Sequence, residues 1–290
     1  MTKKHLTVDQ LRHKYPVVNI CRILGISTSG YYKYLKREPK IENKQTNTLK
    51  QLILDIYKKR KGIYGYRRIK IDLIRIYKID VKEKTVYRLM RLMGLKAVIR
   101  KKRFNKYTPS RSRYIGYVYP NVLNRQFTAS KPVEKFVTDI TYIKVESKKF
   151  YLSVIQDLCN NEIISYNVSK INDNYLVIET LKKAREKYDL TGVLIHSDQG
   201  HNYTSHEYNK FVTEHKMVPS MSRKGKCADN SCIESFFSHF KEECLKIDKP
   251  TSEAALIQAI DEYMYFYNNE RFQKGLDKFA PVEYRTKLAS

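Results

Sequence analysis

One stretch limits the possible folds more than any other: Phe136-Val-Thr-Asp139-Ile-Thr-Tyr-Ile143. Val, Ile, Thr and aromatic residues dominate it, and neither Gly nor Pro interrupts it, which predicts a β-strand. Alternation turns Phe136, Ile140 and Tyr142 to one face and Val137 and Ile143 to the other. A strand that is apolar on both faces belongs in the middle of a sheet covered on both sides. Asp139 is out of place there. Burying a lone carboxylate costs several kcal/mol unless it is paired or holds a metal. A strand-end Asp bonded to a nearby turn would also satisfy it, so this stretch alone leaves both readings open.

The formal net charge of +26 lies in one part of the chain. Residues 1–130 hold 33 Lys+Arg against 7 Asp+Glu, and residues 131–290 hold 23 of each. A basic part beside a neutral one points to a nucleic-acid partner. A ribosomal or RNA-coating protein without chemistry would share that property. Hydrophobic and aromatic contents of 42% and 12% are those of a folded protein. The longest apolar runs fall short of the ~18 residues of a membrane span, and the N-terminus has no apolar signal core. No membrane partner is expected. Cys21, Cys159, Cys227, Cys232 and Cys244 are odd in number and scattered, which suits a reducing compartment, so the expected location is the cytoplasm.

Within the basic part, residues 1–40 read as a helix-turn-helix-like unit. A helix from Leu6 to Tyr15 is followed after Pro16 by apolar residues at helical spacing to Leu24, a turn at Gly25–Ser27, and a Tyr- and Lys-rich helix. An ordinary helical hairpin with a solvated basic face is the plain alternative. Polar residues 39–48 lead to a second helical unit, 49–95. Leu49–Lys59 is amphipathic, Tyr64-Gly-Tyr-Arg67-Arg68 opens a helix to about Tyr77, and a third helix ends at Met93-Gly94. Residues 96–130 read as a basic, Tyr-rich linker. There Arg100, Lys101, Lys102 and Arg103 are interleaved with rings such as Tyr107 and Tyr114, cations suited to phosphates and aromatics suited to stacking on bases.

The pattern changes in residues 131–248. Strands to Glu146, over 150–157 and over 161–168 are followed by a helix near 173–188. A short apolar strand then ends on Asp198, and a helix and a further strand follow to 222. Three antiparallel strands and then alternating helices and strands predict an α/β domain with a mixed sheet. Arg223–Asp229 reads as a mobile loop, with Asp229 or Asn230 capping the helix of about 231–245. On that helix Ile233, Phe236, Phe237, Phe240 and Cys244 make an apolar stripe. Glu234 stands at the stripe's edge and Lys241 nearly in line with it. A Glu234–Lys241 or Glu234–Ser238 surface contact would explain this without function.

Asp139, Asp198 and Glu234 therefore come from separate elements and could converge. Carboxylates about 4 Å apart repel by several kcal/mol at an effective dielectric near 20. Two Mg²⁺ or Mn²⁺ ions on such hard oxygen ligands remove that penalty and support displacement at phosphorus. With a cationic part beside it, the coherent reading is phosphoryl transfer on DNA. Gly-x-Ser-x-Gly, a P-loop and Cys-x2-Cys are all absent. The five-residue spacing of His196, His201 and His206 does not stack on one helix face. A non-catalytic DNA-binding regulator or inactive relative, and a glycosidase using two carboxylates, are the competing readings.

At these residues the sequence resembles a known family. Phe-Val-Thr-Asp139-Ile-Thr-Tyr-Ile, His-Ser-Asp198-Gln-Gly and Asp229-Asn-Ser-Cys-Ile-Glu234-Ser-Phe-Phe are similar to the acidic-triad blocks of insertion sequence 3 transposases, relatives of retroviral integrases. Between Asp198 and Glu234 lie 35 residues, the family spacing. Lys241, Ser222-Arg-Lys-Gly225, Tyr267-Asn-Asn-Glu-Arg271 and Pro281 match as well, and the likeness covers essentially the whole chain. Phe136 stands where the family often has Trp, and His201-Asn202 depart from its usual residues.

The resemblance implies an α/β fold: a ribonuclease-H-like mixed sheet flanked by helices, preceded by all-α helix-turn-helix segments and followed by a helical extension at 249–290. It implies that Asp139, Asp198 and Glu234 are catalytic and hold two Mg²⁺ or Mn²⁺ ions, that transposon 3′ ends are hydrolysed, and that the freed 3′-OH attacks another phosphodiester. The expected DNA contacts are Arg67, Arg68, Arg100, Lys101, Lys102, Arg103, Arg223, Lys224 and Lys241. The expected partners are double-stranded DNA (transposon ends and target), further copies of the chain on that DNA, and an upstream-frame helix-turn-helix product that many members join by ribosomal frameshifting.

Overall fold

The computed structural model describes residues 3–36, 44–98 and 116–289. Arg100, Lys101, Lys102 and Arg103 lie outside the described residues. The chain forms two compact units, residues 1–55 and 56–290. In the first, α1 (Lys3–Leu11), α2 (Val17–Leu24) and α3 (Thr28–Leu35) surround Val8, Ile20, Cys21 and Tyr31. Ser27 caps α3 by accepting from the Gly30 N–H at 3.1 Å. The helix, turn, helix order read from the sequence is present, and α4 (Lys44–Lys59) follows.

The second unit is built on a five-stranded sheet of β1 (Lys135–Val145), β2 (Lys148–Asp157), β3 (Ile163–Ser169), β4 (Leu194–Ser197) and β5 (Val218–Met221), in the order β3-β2-β1-β4-β5. The first three strands are antiparallel, and β4 and β5 run parallel to β1. The strand that carries Asp139 is thus the central one. On one face Phe136, Ile155 and Ile195 pack with α7 (Asn174–Lys187) and α8 (His206–Glu214) through Val177, Leu181, Tyr208 and Val212. On the other face Val137, Leu152 and Val154 meet Ile233, Phe236 and Phe240 of α9 (Ser231–Phe240). Alternation along β1 requires this division. Tyr142 departs from the expectation of a covered strand, because it is 63% exposed.

A π turn (Lys241–Leu245) and α10 (Lys246–Asp248) follow α9, then α11 (Glu253–Asn269) and α12 (Pro281–Ala289). Residues 249–290, expected as an extension, supply part of the core. Leu256, Ala259, Ile260, Tyr263, Met264 and Tyr267 of α11 are buried against the sheet. The Asn268 side chain pins the helix to β3, accepting from the Ile163 N–H at 2.8 Å and donating to its carbonyl at 2.9 Å.

Two segments pack onto this framework. Residues 116–130 carry no regular element but lie against the sheet. Tyr117 N–H donates to Thr204 O at 2.9 Å, and Gly116 approaches so closely that a Cβ would stand 2.3 Å from that oxygen. Leu123 is buried, and its N–H donates to Ser220 Oγ at 3.0 Å. At the β5 edge, Val218 N–H bonds inward to Val193 O at 2.9 Å, which turns position 219 outward, and Pro219 has no N–H to offer. The next outward donor, Met221 N–H, meets Pro120 O at 3.3 Å.

The other segment is the pair α5 (Tyr66–Tyr77) and α6 (Glu83–Leu92). Buried Arg60 bonds to Asp72 at 3.0 Å and to Glu270 at the end of α11. Tyr64 lies against Phe266 and Phe272. Arg75 reaches Glu283 of α12 and stacks 4.6 Å from the Phe272 ring centroid. Among the described residues, no helix is long and apolar enough to cross a membrane.

Candidate active site

The register of β1 and β4 brings two of the acids together. Val137 stands opposite His196 in parallel pairing, so two residues further along come Asp139 and Asp198, on strands about 4.8 Å apart. Asp139 stands in the middle of β1, just past the stretch paired with β4, and Asp198 directly follows the carboxyl end of β4. Both line one cavity of about 180 Å³, together with Tyr142, Tyr151, Asn172 and Tyr203. Glu234 comes from α9, which covers the Val137 face of β1. Its neighbour Ile233 is fully buried and Glu234 itself is exposed, in keeping with a place at the edge of the stripe.

The three carboxylates share an electrostatic environment. Burial pushes the Asp139 carboxyl up, and the charges of Asp198 and Glu234 push it further, to about 8, against the opposing Ile140 N–H and the Lys241 ammonium. Burial also raises Asp198, while the Gly200 N–H and His201 pull it down. Glu234 is raised by desolvation and then by the Asp198 charge. Each carboxylate on the strands is held by backbone. Ile140 N–H donates to Asp139 Oδ1 at 2.7 Å and Gly200 N–H to Asp198 Oδ1 at 2.8 Å. A Cβ at 200 would stand 2.9 Å from that Oδ1, so any larger residue there would push the Asp198 carboxylate out of this position. Among the described residues, no group of three or more His, Cys, Asp or Glu is set to hold a metal ion.

The surroundings hold the two acid-bearing segments in place. Tyr203 lies beneath, its hydroxyl 3.2 Å from Thr138 Oγ1. Asn202 Nδ2 donates to Asn172 Oδ1 at 2.7 Å, and His201 Nε2 lies 3.1 Å from Asn172 O, tying the chain after β4 to the segment before α7. Lys241 forms no ion pair with Glu234 among the described residues. Its Nζ stands 5.6 Å from the Tyr142 ring centroid. Burial lowers its pKa, and the Asp139 charge opposes this.

The other residues singled out in the sequence are placed differently from one another. Arg67 is 75% exposed, with Glu83 at 3.8 Å. Arg68 turns inward, its NH1 3.7 Å from Glu243 Oε1, so its guanidinium faces protein rather than a phosphate. Lys224 is exposed. Arg223 is bound to buried Asp229 through Nε at 2.8 Å and NH2 at 2.9 Å. Asp229 therefore does not cap α9, and neither does Asn230, which makes no capping bond. Asp229 also accepts from the Arg223 N–H at 3.1 Å, Arg125 Nε at 2.6 Å and Asn121 Nδ2 at 3.0 Å. The paired guanidinium of Arg223 holds its carboxyl far below the usual range. It closes both ends of the loop expected to be mobile. His196 is buried and bonded to Ser220 Oγ at 2.9 Å, as a core histidine is.

Glu243 was not singled out. In the π turn behind Glu234 it is 2% exposed and accepts from Arg271 Nε at 2.7 Å, Arg271 NH2 at 2.8 Å and Tyr263 Oη at 3.1 Å. The one sequence signal was the Tyr267–Arg271 block, which supplies Arg271. Glu243 itself follows another acid in an exposed-looking Lys-Glu-Glu run.

Two family models described as integrase core domain match residues 129–227 and 234–288, and one described as HTH-like domain matches residues 44–103. An integrase core behind a helix-turn-helix-like domain defines the class, a polynucleotidyl transferase with a ribonuclease-H-like fold. The InsK transposase of insertion sequence element IS150 from Escherichia coli K12 is 38% identical over 279 residues, 96% of each chain. The InsF transposase of insertion sequence IS3A from the same organism is 29% identical over 290 residues, 98% of this chain and 99% of its own. Among solved structures, the HTLV-2 integrase catalytic core domain in complex with magnesium overlaps 54% of this chain and 98% of its own at 19% identity and a TM-score of 0.42, too loose a match to carry residue roles. The chain belongs to the insertion sequence 3 family of transposases and is a DNA transposase.

Proposed function

We propose that this transposase hydrolyses the 3′ ends of its insertion sequence and then joins each freed 3′-OH to a new phosphodiester, with Asp139, Asp198 and Glu234 as the catalytic carboxylates. One observation supports this above the others: Asp139 and Asp198 from neighbouring strands face one cavity, where each acid of the three is raised in pKa and another member of the set contributes to Asp139 and Glu234. Such a set, unpaired by Arg or Lys and made of hard oxygen donors, suits two Mg²⁺ or Mn²⁺ ions. When bound, the ions would activate the attacking oxygen and stabilise the leaving one.

The protein's own part is charge and position. The backbone N–H groups of Ile140 and Gly200 fix the strand carboxylates, and Asn172 holds the neighbouring loop. In the first step a water oxygen bonds to phosphorus, the P–O3′ bond breaks, and the 3′ oxygen leaves with a proton. In the second step the 3′-OH gives up its proton as its oxygen bonds to a new phosphorus, the P–O3′ bond there breaks, and the displaced 3′ oxygen leaves with a proton. Phosphodiesters are exchanged, so no nucleotide cofactor is consumed. Exposed Arg67 and Lys224, with Lys241 beside the acids, are offered to phosphates, and Arg100 to Arg103 are assigned the same role from sequence. Arg68 and Arg223 would have to leave Glu243 and Asp229 to join them. The partners are double-stranded DNA and further copies of the chain, since two ends must be held together, with an upstream-frame product as a possible fusion partner. The site of action is the cytoplasm, at the nucleoid.

The test is nicking of a DNA carrying the element's ends in Mg²⁺. Asp139→Asn should abolish nicking while end binding persists, and EDTA should abolish it in the native protein. Nicking by Asp139→Asn at the native rate would remove the metal-site assignment and favour a DNA-binding regulator.

A further inference from the structure

A second depression opens on the other side of Tyr142 from the acids. It has a volume of about 430 Å³ and is lined by Tyr142, Lys144, Lys241 and Lys249, over an apolar floor that includes Leu245 and Pro250. Tyr142 belongs to both cavities. Two chain features build it. Tyr142 and Lys144 both project from the outer half of β1, at alternate positions, and both are exposed. On the other wall, Lys241 opens the π turn and Lys249 ends α10 with φ 43. That reversal brings two lysines eight residues apart to one hollow.

The composition of this hollow is one-sided. Three ammonium groups and one exposed ring converge there, and among the described lining residues none is acidic. Lys144 and Lys249 have no carboxylate partner among the described residues, and Lys241 feels the Asp139 charge without forming an ion pair. Some basic residues elsewhere in the unit are paired, as Lys61 is with Asp248 and Arg75 with Glu283; what sets this hollow apart is that three ammonium groups and a ring share it beside the acids. A strand laid across Asp139, Asp198 and Glu234 brings more negative charge to a negative site. Cations immediately beside that site offset the repulsion, and Lys144 and Lys249, which hold no ion pair, are free to meet phosphate. The exposed Tyr142 ring, at the border of the two cavities, offers a face on which a base can stack, as aromatic platforms do for single strands.

We infer that this hollow seats an unpaired nucleotide of the DNA strand next to the scissile phosphate, its base on Tyr142 and its phosphates against Lys144 and Lys249. The inference rests on the transposase reading and adds to it where the reacting strand runs. It also requires local unpairing of the duplex end, since a base within the stack cannot reach Tyr142.

The test uses the full chain and an oligothymidylate of about 12 nucleotides, enough to span such a groove, with one 5-iododeoxyuridine for photo-crosslinking. Other basic surfaces will also bind the probe, so the readout is local: the adduct is mapped by mass spectrometry. An adduct on Tyr142 is expected. Its yield should fall at least about fivefold in the Lys144→Ala/Lys249→Ala double variant, the lower end of the loss expected when such contacts are removed. Tyr142→Phe should keep the probe at this position with the adduct on the Phe ring, and thermal midpoints should stay within error of the native protein. Adducts confined to other regions, or a Tyr142 adduct indifferent to both lysines, would overturn the inference. Mg²⁺-dependent nicking by the same preparation is scored separately. Nicking without the adduct removes only this inference, and the adduct without nicking removes only the catalytic reading.

Discussion

The Glu243–Arg271 pair gives the most quantitative prediction. Both side chains are almost wholly buried, and two hydrogen bonds of 2.7 and 2.8 Å join them. Removing one partner of a buried pair typically costs about 3–5 kcal/mol, because the other charge is left without compensation. Here Tyr263 Oη at 3.1 Å, His239 at 3.6 Å and Arg68 at 3.7 Å still face Glu243, so Arg271→Met should fall at the lower end, about 3 kcal/mol. In a unit of this size each kcal/mol lowers the midpoint by roughly 2–4 °C, which predicts a drop of roughly 6–12 °C in thermal unfolding followed by circular dichroism. The Glu243→Leu/Arg271→Met double variant should recover much of the loss, since neither charge remains to be compensated. Burial pushes the Glu243 carboxyl up, but the Arg271 bonds outweigh it and the net shift is downward. A lowered carboxyl stabilises the fold above its ordinary range and loses that contribution as pH falls. The gap between native protein and Arg271→Met should therefore be widest near neutral pH and narrow below the ordinary carboxylate range. A drop under about 2 °C at neutral pH, or a double variant as unstable as the sum of the single ones, would refute the reasoning.

Asp139 gives the opposite sign. Its carboxyl is raised to about 8, so the metal-free fold loses stability as pH rises from the ordinary carboxylate range toward that value. Asp139→Asn should raise the thermal midpoint in EDTA, more at pH 8 than at pH 5, and an equal or lower midpoint at both would count against the strained acid cluster. Asp229→Asn should release Arg223 and Arg125, and limited trypsin digestion should then cut after Arg223, Lys224 or Lys226 severalfold faster. Unchanged digestion would mean that Asp229 does not hold the loop.

The sequence was most readable where a local period decides the outcome. The alternation of Phe136, Val137 and Ile143 matches the division of β1 between two cores. The apolar stripe from Ile233 to Cys244 is buried as its spacing requires. Asp139 and Asp198 were conspicuous because an acid in or at the end of an apolar strand violates the local pattern. Periodicity could not say which surface a helix would meet. The row from Leu256 to Tyr267 of α11 reads as amphipathic in any setting, and only the three-dimensional contacts make it a wall of the sheet. Arg68 and Arg223 read as phosphate ligands because a basic residue carries no mark of its partner. Their partners, Glu243 and Asp229, are distant in sequence or looked suited to another task. The hollow beside Tyr142 was illegible for the same reason, since Lys144 and Lys249 meet only through the chain reversal after α9.

Pro219 limits how copies of this protein can associate. The outward side of β5 has lost one donor to proline, and the next is already taken by Pro120. A neighbouring molecule finds no ladder to continue at that border. If copies meet at this edge, they can crowd together there without fusing their sheets into a fibre, and a contact at this border must be made by side chains.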